Sequence, residues 1–173
     1  MMIRNLKEED IPQILDLYNW YIVNGEQSFE TEPVSLEIFT ERTHGIAKDF
    51  PYIVLEEDGK VVGYAYLSKF AQRYAYRFSC DLSIYVDHTR SHKGYGSILM
   101  KEILKIAKDC HYHSVFSVIT SSNQASIHIH EKFGFIKRGT MVESGYKHGK
   151  WLSVDYYQLC FPVTDPPLEP KKV

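Results

Sequence analysis

Three features of this chain could do chemistry: an aspartate within an apolar alternating run, a glycine-spaced basic loop after it, and a histidine in a later helical run. The loop is Ser91-His92-Lys93-Gly94-Tyr95-Gly96, with two glycines two residues apart beside Lys93 and Arg90. It joins a strand-like run (Cys80, Leu82, Ile84, Val86) to a helix-like one from Gly96 to about Asp109. Glycine lets backbone approach a ligand closely, and the free N–H groups and dipole of a helix start favour negative charge, so this junction suits a diphosphate. Asp81 lies on the strand face of Ser79, Ser83 and Tyr85, opposite Cys80, Leu82, Ile84 and Val86. A carboxylate there is costly to bury unless paired or solvated, which makes it either a proton acceptor or the ion-pair partner of Arg73 or Arg77. His130 titrates near neutrality when unperturbed and could exchange a proton there, or be a satisfied helix histidine.

Metal chemistry fails on spacing. His128 and His130 are two apart on a helix and point to nearly opposite sides, so they cannot share one ion. Cys80, Cys110 and Cys160 form neither a zinc spacing nor a disulfide framework. Cys80, on the face away from Asp81, suits a buried thiol better than a nucleophile.

The elements that must position these groups follow from periodicity. Ile3–Leu6 reads as an edge strand. Ile11, Ile14, Leu15, Tyr18 and Ile22 recur at helical spacing, so Asp10 to about Val23 is an amphipathic helix, stopped by Asn24-Gly25. Ser35 to Ile46 reads as a second helix. Tyr52–Glu56 and Val61–Ser68 form a hairpin across Asp58-Gly59. After a loop near Lys69–Arg73, a strand runs from Tyr76 to Val86. The next helix, with Ile98, Leu99, Ile103 and Ile106 on one face, leads to Val115–Thr120, a continuously apolar strand of the buried kind. Strand, helix, strand is a right-handed crossover between parallel strands. Asn123 or Ser122 caps a fourth helix ending at Gly134, and Phe135–Glu143 with Lys150–Cys160 makes a last hairpin.

The order β-α-α-β-β-β-α-β-α-β-β, with a glycine loop after the fourth strand, resembles the Gcn5-related N-acetyltransferase superfamily. Tyr18-Asn19, Phe29-Glu30-Thr31-Glu32-Pro33, Gly63-Tyr64-Ala65-Tyr66, Ala75-Tyr76-Arg77, Ser83-Ile84-Tyr85-Val86, Asn123-Gln124-Ala125-Ser126-Ile127, His130-Glu131-Lys132-Phe133-Gly134-Phe135 and Lys147-His148-Gly149-Lys150-Trp151 are similar to its phosphinothricin and methionine-sulfoximine acetyltransferase branch. The resemblance covers roughly Ile3 to Phe161. It implies an α+β (α/β) acyl-CoA N-acyltransferase fold: a central mixed twisted sheet, about four flanking helices, and splayed fourth and fifth strands.

It also implies acetyl-CoA as cosubstrate with no metal. The diphosphate would lie on Ser91, His92, Lys93, Gly94, Tyr95 and Gly96, and the pantetheine arm along Ile84, Tyr85 and Val86, one of whose N–H groups would meet the charge on the thioester oxygen. Asn123, with Ser126 beside it, would bond the pantetheine; the alternative for Asn123 is a helix N-cap. Asp81 would be the general base, acting through water, and His130 would protonate the departing thiolate. Phe29, Phe70, Gln72, Arg73, Tyr76, Cys80 and Leu82 would face the amine substrate, an amino-acid-like molecule such as phosphinothricin or methionine sulfoximine. The chain departs from the branch pattern at Ser91 (usually Arg or Gln), at Ser79-Cys80-Asp81 (usually Thr-Val-Glu) and at Phe70-Ala71-Gln72-Arg73 (usually Phe-Arg-x-Arg).

The whole chain is consistent with such an enzyme. Its 173 residues suffice for one domain, expected over 1–162, with a flexible proline-rich tail over 163–173. With 20 basic and 22 acidic residues the net charge is −2, which argues against a nucleic-acid partner despite the alternating aromatics of 64–78. No apolar run spans a bilayer and the start, MMIRNLKEEDIPQ, lacks a signal-like apolar core, so no membrane and a cytoplasmic setting are expected. A homodimer is the assembly usual for lookalikes. Two alternatives stay open: a peptide or protein N-terminus or a polyamine as acceptor, and a non-catalytic acetyl-CoA sensor.

Overall fold

The computed structural model describes residues 1–90 and 93–172. Its elements are β1 (Met2–Asn5), α1 (Ile11–Asn24), α2 (Leu36–Ala47), β2 (Tyr52–Glu57), β3 (Lys60–Lys69), β4 (Ser79–Val86), α3 (Tyr95–Asp109), β5 (Ser114–Thr120), α4 (Gln124–Lys132), β6 (Ile136–Lys147) and β7 (Lys150–Cys160). This is the expected order. The strands form one seven-stranded sheet, β1-β2-β3-β4-β5-β7-β6, in which β4 and β5 are parallel and the other neighbours antiparallel.

Strand alternation sends side chains to two cores, one on each face. Cys80, Leu82, Ile84 and Val86 of β4 pack with Leu99, Met100 and Ile103 of α3. On the other face Tyr85 packs on Ile11, Ile14, Tyr18 and Ile22 of α1 and on Tyr64 of β3. The start of α1 is held by a buried carboxylate. Asp10 is 1% exposed, and burial alone would push its pKa up. Two bonds from Arg4, at 2.6 and 2.8 Å, and the Lys7 N–H hold it below the usual value instead.

Local signals set most boundaries. Ser35 Oγ accepts from Ile38 N–H at the start of α2. Gly94, with φ of +79°, makes the left-handed turn that opens α3, a conformation β-carbons disfavour.

Two expectations are corrected. The strand expected from Tyr76 begins at Ser79, because Tyr74–Phe78 form a 3-10 turn in which Tyr76 N–H donates to Arg73 O. β5 is not buried throughout: Val118 is 51% exposed and Phe116 half-buried, because alternation turns both to the face opposite the core residues Val115 and Ile119. The proline-rich tail has neither helix nor strand, yet it is not without partners: Glu169 pairs with Arg77, Lys172 with Asp49, and Lys171 N–H donates to Cys110 O.

Candidate active site

β4 and β5 pair only at Ser79–Asp81 with Ser114–Phe116. Beyond that rung β5 continues beside β7 to Thr120 while β4 stays with β3 to Val86, and the two strands diverge. The gap is a cleft of about 260 Å³, lined among others by Ile84, Val86, Gly96, Ser117, Asn123 and His130.

Backbone direction decides what β4 offers this cleft. Asp87 N–H donates to Val62 of β3. By alternation the N–H and C=O of Val86, Ile84 and Leu82 face the other way, into the cleft, and those of Tyr85 face β3. Of the three residues expected along the pantetheine arm, Ile84 and Val86 therefore have N–H groups turned to the cleft, and Tyr85 has its own turned to β3. The Val86 carbonyl accepts from the Tyr21 hydroxyl at 2.7 Å, which steadies the diverging end of β4.

The far end of the cleft is the start of α3. An ideal β-carbon on Gly96 would stand 3.0 Å from Ile129 Cδ1, so the bare glycine keeps this passage open. Lys93 is exposed beside it. Arg90 is engaged elsewhere, bonded to Glu57, and the Tyr95 hydroxyl donates to the same carboxylate at 2.7 Å. The Tyr95 side chain is thus buried in the core, and what Tyr95 offers the expected diphosphate loop is its backbone. Ser91 and His92, also expected in this loop, lie outside the described residues. Asn123 Oδ1 accepts from Ser126 N–H at 3.2 Å and caps α4. Because the residue also lines the cleft, its amide N–H groups can serve a ligand while its oxygen caps.

On the α1 side of the sheet, at the last rung before the strands part, stands Asp81. Burial pushes its pKa up to about 7, and among the described residues it has no ion pair: Arg77, a candidate partner, is taken by Glu169, and Arg73 is exposed. Phe116 occupies the matching position on β5. Phe70 stacks on Phe116 with ring centroids 4.2 Å apart, and Tyr76 meets Phe70 edge-on at 5.6 Å. Asp81 is therefore flanked by an aromatic wall. Phe116 was hidden in the sequence by its place in an apolar run; only the parity that puts it on the opposite face from Val115 could have marked it.

His130 lies on the other face. It is 6% exposed, with Nδ1 2.8 Å from the Ser126 carbonyl and Nε2 3.0 Å from Ser117 Oγ. A carbonyl can only accept, so Nδ1 carries the proton and Nε2 accepts from the serine hydroxyl. Burial lowers the imidazole pKa, so the resting ring is neutral. Expected as the group that protonates the departing thiolate, it has its Nδ1 N–H engaged by the Ser126 carbonyl in this arrangement.

The remaining expected residues are dispersed. Phe29, 39% exposed, sits in the loop after α1 against Gly145, and Leu82 is both core and cleft wall. Gln72 and Arg73 are exposed before the 74–78 turn. Cys80, expected to face the substrate, is wholly buried, and its thiol is raised well above the ordinary value, by burial first and by Asp81 next to it second. Among the described residues no three His, Cys, Asp or Glu side chains cluster as metal ligands would.

A cleft between splayed parallel strands, open backbone along one wall, a glycine-opened helix at one end and a half-buried carboxylate at the rung where the strands part fit a long ligand with an anionic and a reactive end. Known proteins with this sequence pattern agree. Residues 3–154 match the family model described as an acetyltransferase (GNAT) domain. Phosphinothricin N-acetyltransferase of Streptomyces viridochromogenes is 33% identical over 165 residues, 95% of this chain and 90% of that protein. The L-methionine sulfoximine/L-methionine sulfone acetyltransferase of Salmonella typhimurium is 28% identical, over 92% of this chain and 94% of its own. The crystal structure of a phosphinothricin acetyltransferase from Sinorhizobium meliloti in complex with AcCoA superposes with a TM-score of 0.91 at 31% identity, covering 98% of this chain and 92% of that one. The chain belongs to the GNAT acetyltransferase family.

Proposed function

We propose that this acetyltransferase moves an acetyl group from acetyl-CoA to the amine of a small amino-acid-like substrate, such as phosphinothricin, methionine sulfoximine or a related amino acid, by direct transfer in a ternary complex. The observation that carries the reading is the place of Asp81 at the rung where the sheet opens, beside Phe116, the Phe70 ring stacked on it and the Tyr76 ring edge-on to Phe70; burial there pushes its pKa up to about 7. The named activities of the relatives support the substrate class.

Acetyl-CoA would supply the thioester acyl group. Lys93 and the first amides of α3 hold its diphosphate, and the Ile84 and Val86 N–H groups steady the charge that builds on the acyl oxygen. Asp81, with a pKa of about 7, accepts the amine proton, directly or through a water. An α-amine, with a pKa of about 8, is already roughly one-tenth neutral at pH 7, which lightens that task. A thiol with a pKa of about 8.5 leaves readily as thiolate, so a neutral His130 is no obstacle; its hydrogen bonds tie α4 to β5 at the cleft. Arg73, exposed just before the turn that carries Tyr76, is a cation offered to a substrate acid group.

A free-thiol release assay with acetyl-CoA over amino acids, sulfoximines, polyamines and peptides tests the reading. Turnover is expected with the amino acids or sulfoximines. Preference for peptides or polyamines would replace the substrate class, and coenzyme A binding without thiol release would make the protein a sensor.

The reading includes a homodimer. β6 is an edge strand whose Ile136, Met141 and Val142 are each more than half exposed, with Tyr146 and Trp151 exposed at the hairpin end. Such an apolar row on an unpaired edge favours burial against a second copy. Equilibrium sedimentation is expected to give twice the chain mass, and a monomer at high micromolar concentration would reject the dimer. Three free cysteines, two of them buried, accord with a reducing, cytoplasmic setting.

A further inference from the structure

The turn bearing Tyr76 is held from outside the sheet. The Arg77 guanidinium lies between two rings, 4.3 Å from the centroid of Tyr74 and 4.2 Å from that of Phe78, and donates two parallel bonds of 2.8 Å to Glu169. Planar fork, paired carboxylate and ring faces on one guanidinium make a clamp with one preferred geometry. Glu169 is itself placed by its neighbours: its carbonyl accepts from His111 Nδ1 at 3.1 Å, and Lys171 N–H donates to Cys110 O at 3.0 Å. The tail thus reaches back from β7, crosses the end of α3 and grips the 74–78 turn. Within the turn Tyr76 N–H donates to Arg73 O and Ser79 N–H to Tyr76 O, and its exit is pinned by His113 N–H to Phe78 O. The turn so clamped also carries Tyr76, next to Arg77 in the chain, whose ring meets Phe70 edge-on, and Phe70 stacks on Phe116 at the rung of Asp81.

We propose that Glu169 and Arg77 are positioning residues for acceptor binding, the C-terminal segment serving as a strap that sets the aromatic wall opposite Asp81. The inference rests on the acetyl-transfer reading above and adds to it a role for residues outside the cleft. Neither residue touches the coenzyme A cleft, so the strap acts on the amine side alone.

Glu169→Gln and Glu169→Asp in the full-length chain test it, with steady-state kinetics on the amine that the parent turns over best. Loss of an exposed, geometrically matched ion pair is expected to raise KM for the amine about three- to fivefold, with kcat and KM for acetyl-CoA little changed. Glu169→Asp, which keeps the carboxylate, is expected to recover most of that loss at an unchanged Tm. In parallel, hydrogen exchange at the Tyr76 and Ser79 amides is expected to quicken in Glu169→Gln. Equal rises in both KM values, an unchanged KM for the amine, or unaltered exchange would each overturn the strap. A parent protein that releases no thiol with any amine defeats the activity reading alone, and the exchange measurement then decides the strap by itself.

Discussion

Asp81→Asn is expected to cut kcat/KM for the amine by about a hundred- to a thousandfold, the usual size of a general-base contribution, and at the same time to make the protein more stable. Both effects come from one cause. Burial raises the folded-state pKa from 3.8 to about 7, so between those values the folded chain keeps a proton that the unfolded chain has released. The stability tied to that proton is complete below pH 3.8 and is lost as the pH climbs through about 7. Asparagine carries no such cost, so the variant gains on the parent progressively over this window. Allowing for the solvent that reaches a half-buried carboxylate, the gain at pH 8 is on the order of 2 kcal/mol.

Activity runs the opposite way with pH. In the parent, kcat/KM is expected to rise through about pH 7 as Asp81 ionises, on top of the rise due to the amine itself. The variant keeps only the amine-dependent rise. Thermal melts and pH–rate profiles of the two proteins measure all of this. A variant with kcat/KM within a few fold of the parent, or with the same acid limb, would remove Asp81 from the chemistry.

Gly96→Glu is expected to weaken coenzyme A binding at least about a hundredfold, since like-charge juxtaposition with the diphosphate costs several kcal/mol. The new side chain would start 3.0 Å from Ile129 Cδ1 and 4.0 Å from Val86 Cγ2, within the cleft. An acidic group in the first turn of α3 is favourable to the helix itself, so the loss of binding should not be accompanied by a large loss of stability. Gly94→Glu separates the contributions: nothing lies within 4 Å of its β-carbon position, but φ is +79°, so its effect combines backbone strain of about 1 kcal/mol with charge and no steric block. Calorimetric titration with coenzyme A, alongside melts, is the measurement. Parent-like affinity in both glutamate variants would mean that the diphosphate does not sit at this helix start.

Much of the scaffold was legible residue by residue. The five apolar positions expected on the first helix, Ile11, Ile14, Leu15, Tyr18 and Ile22, are its five buried residues, because a 3.6-residue repeat leaves little choice of face. Strand parity placed Asp81 with Ser83 and Tyr85 and away from Cys80, since alternation is built into an extended backbone. The third helix was less well read: Ile98 and Ile106 are only half-buried while Met100, Leu104 and Ala107 are inside, because its face is set by contact with β2, β3 and β4 as well as by its own pattern.

What the sequence by itself determined is therefore the order of elements, the two faces of β4, the glycine loop ahead of α3 and the carboxylate within β4. These follow from bond geometry and spacing within a few residues. Only the tertiary structure decided that the parallel pair ends at Asp81, that Phe116 and Phe70 wall it, that Tyr95 turns inward to Glu57, that His130 is neutral, and that the tail clamps Arg77. Each of these joins residues distant in the chain. Their pKa values and contacts depend on which groups exclude water from which, a quantity that exists only once the strands have paired.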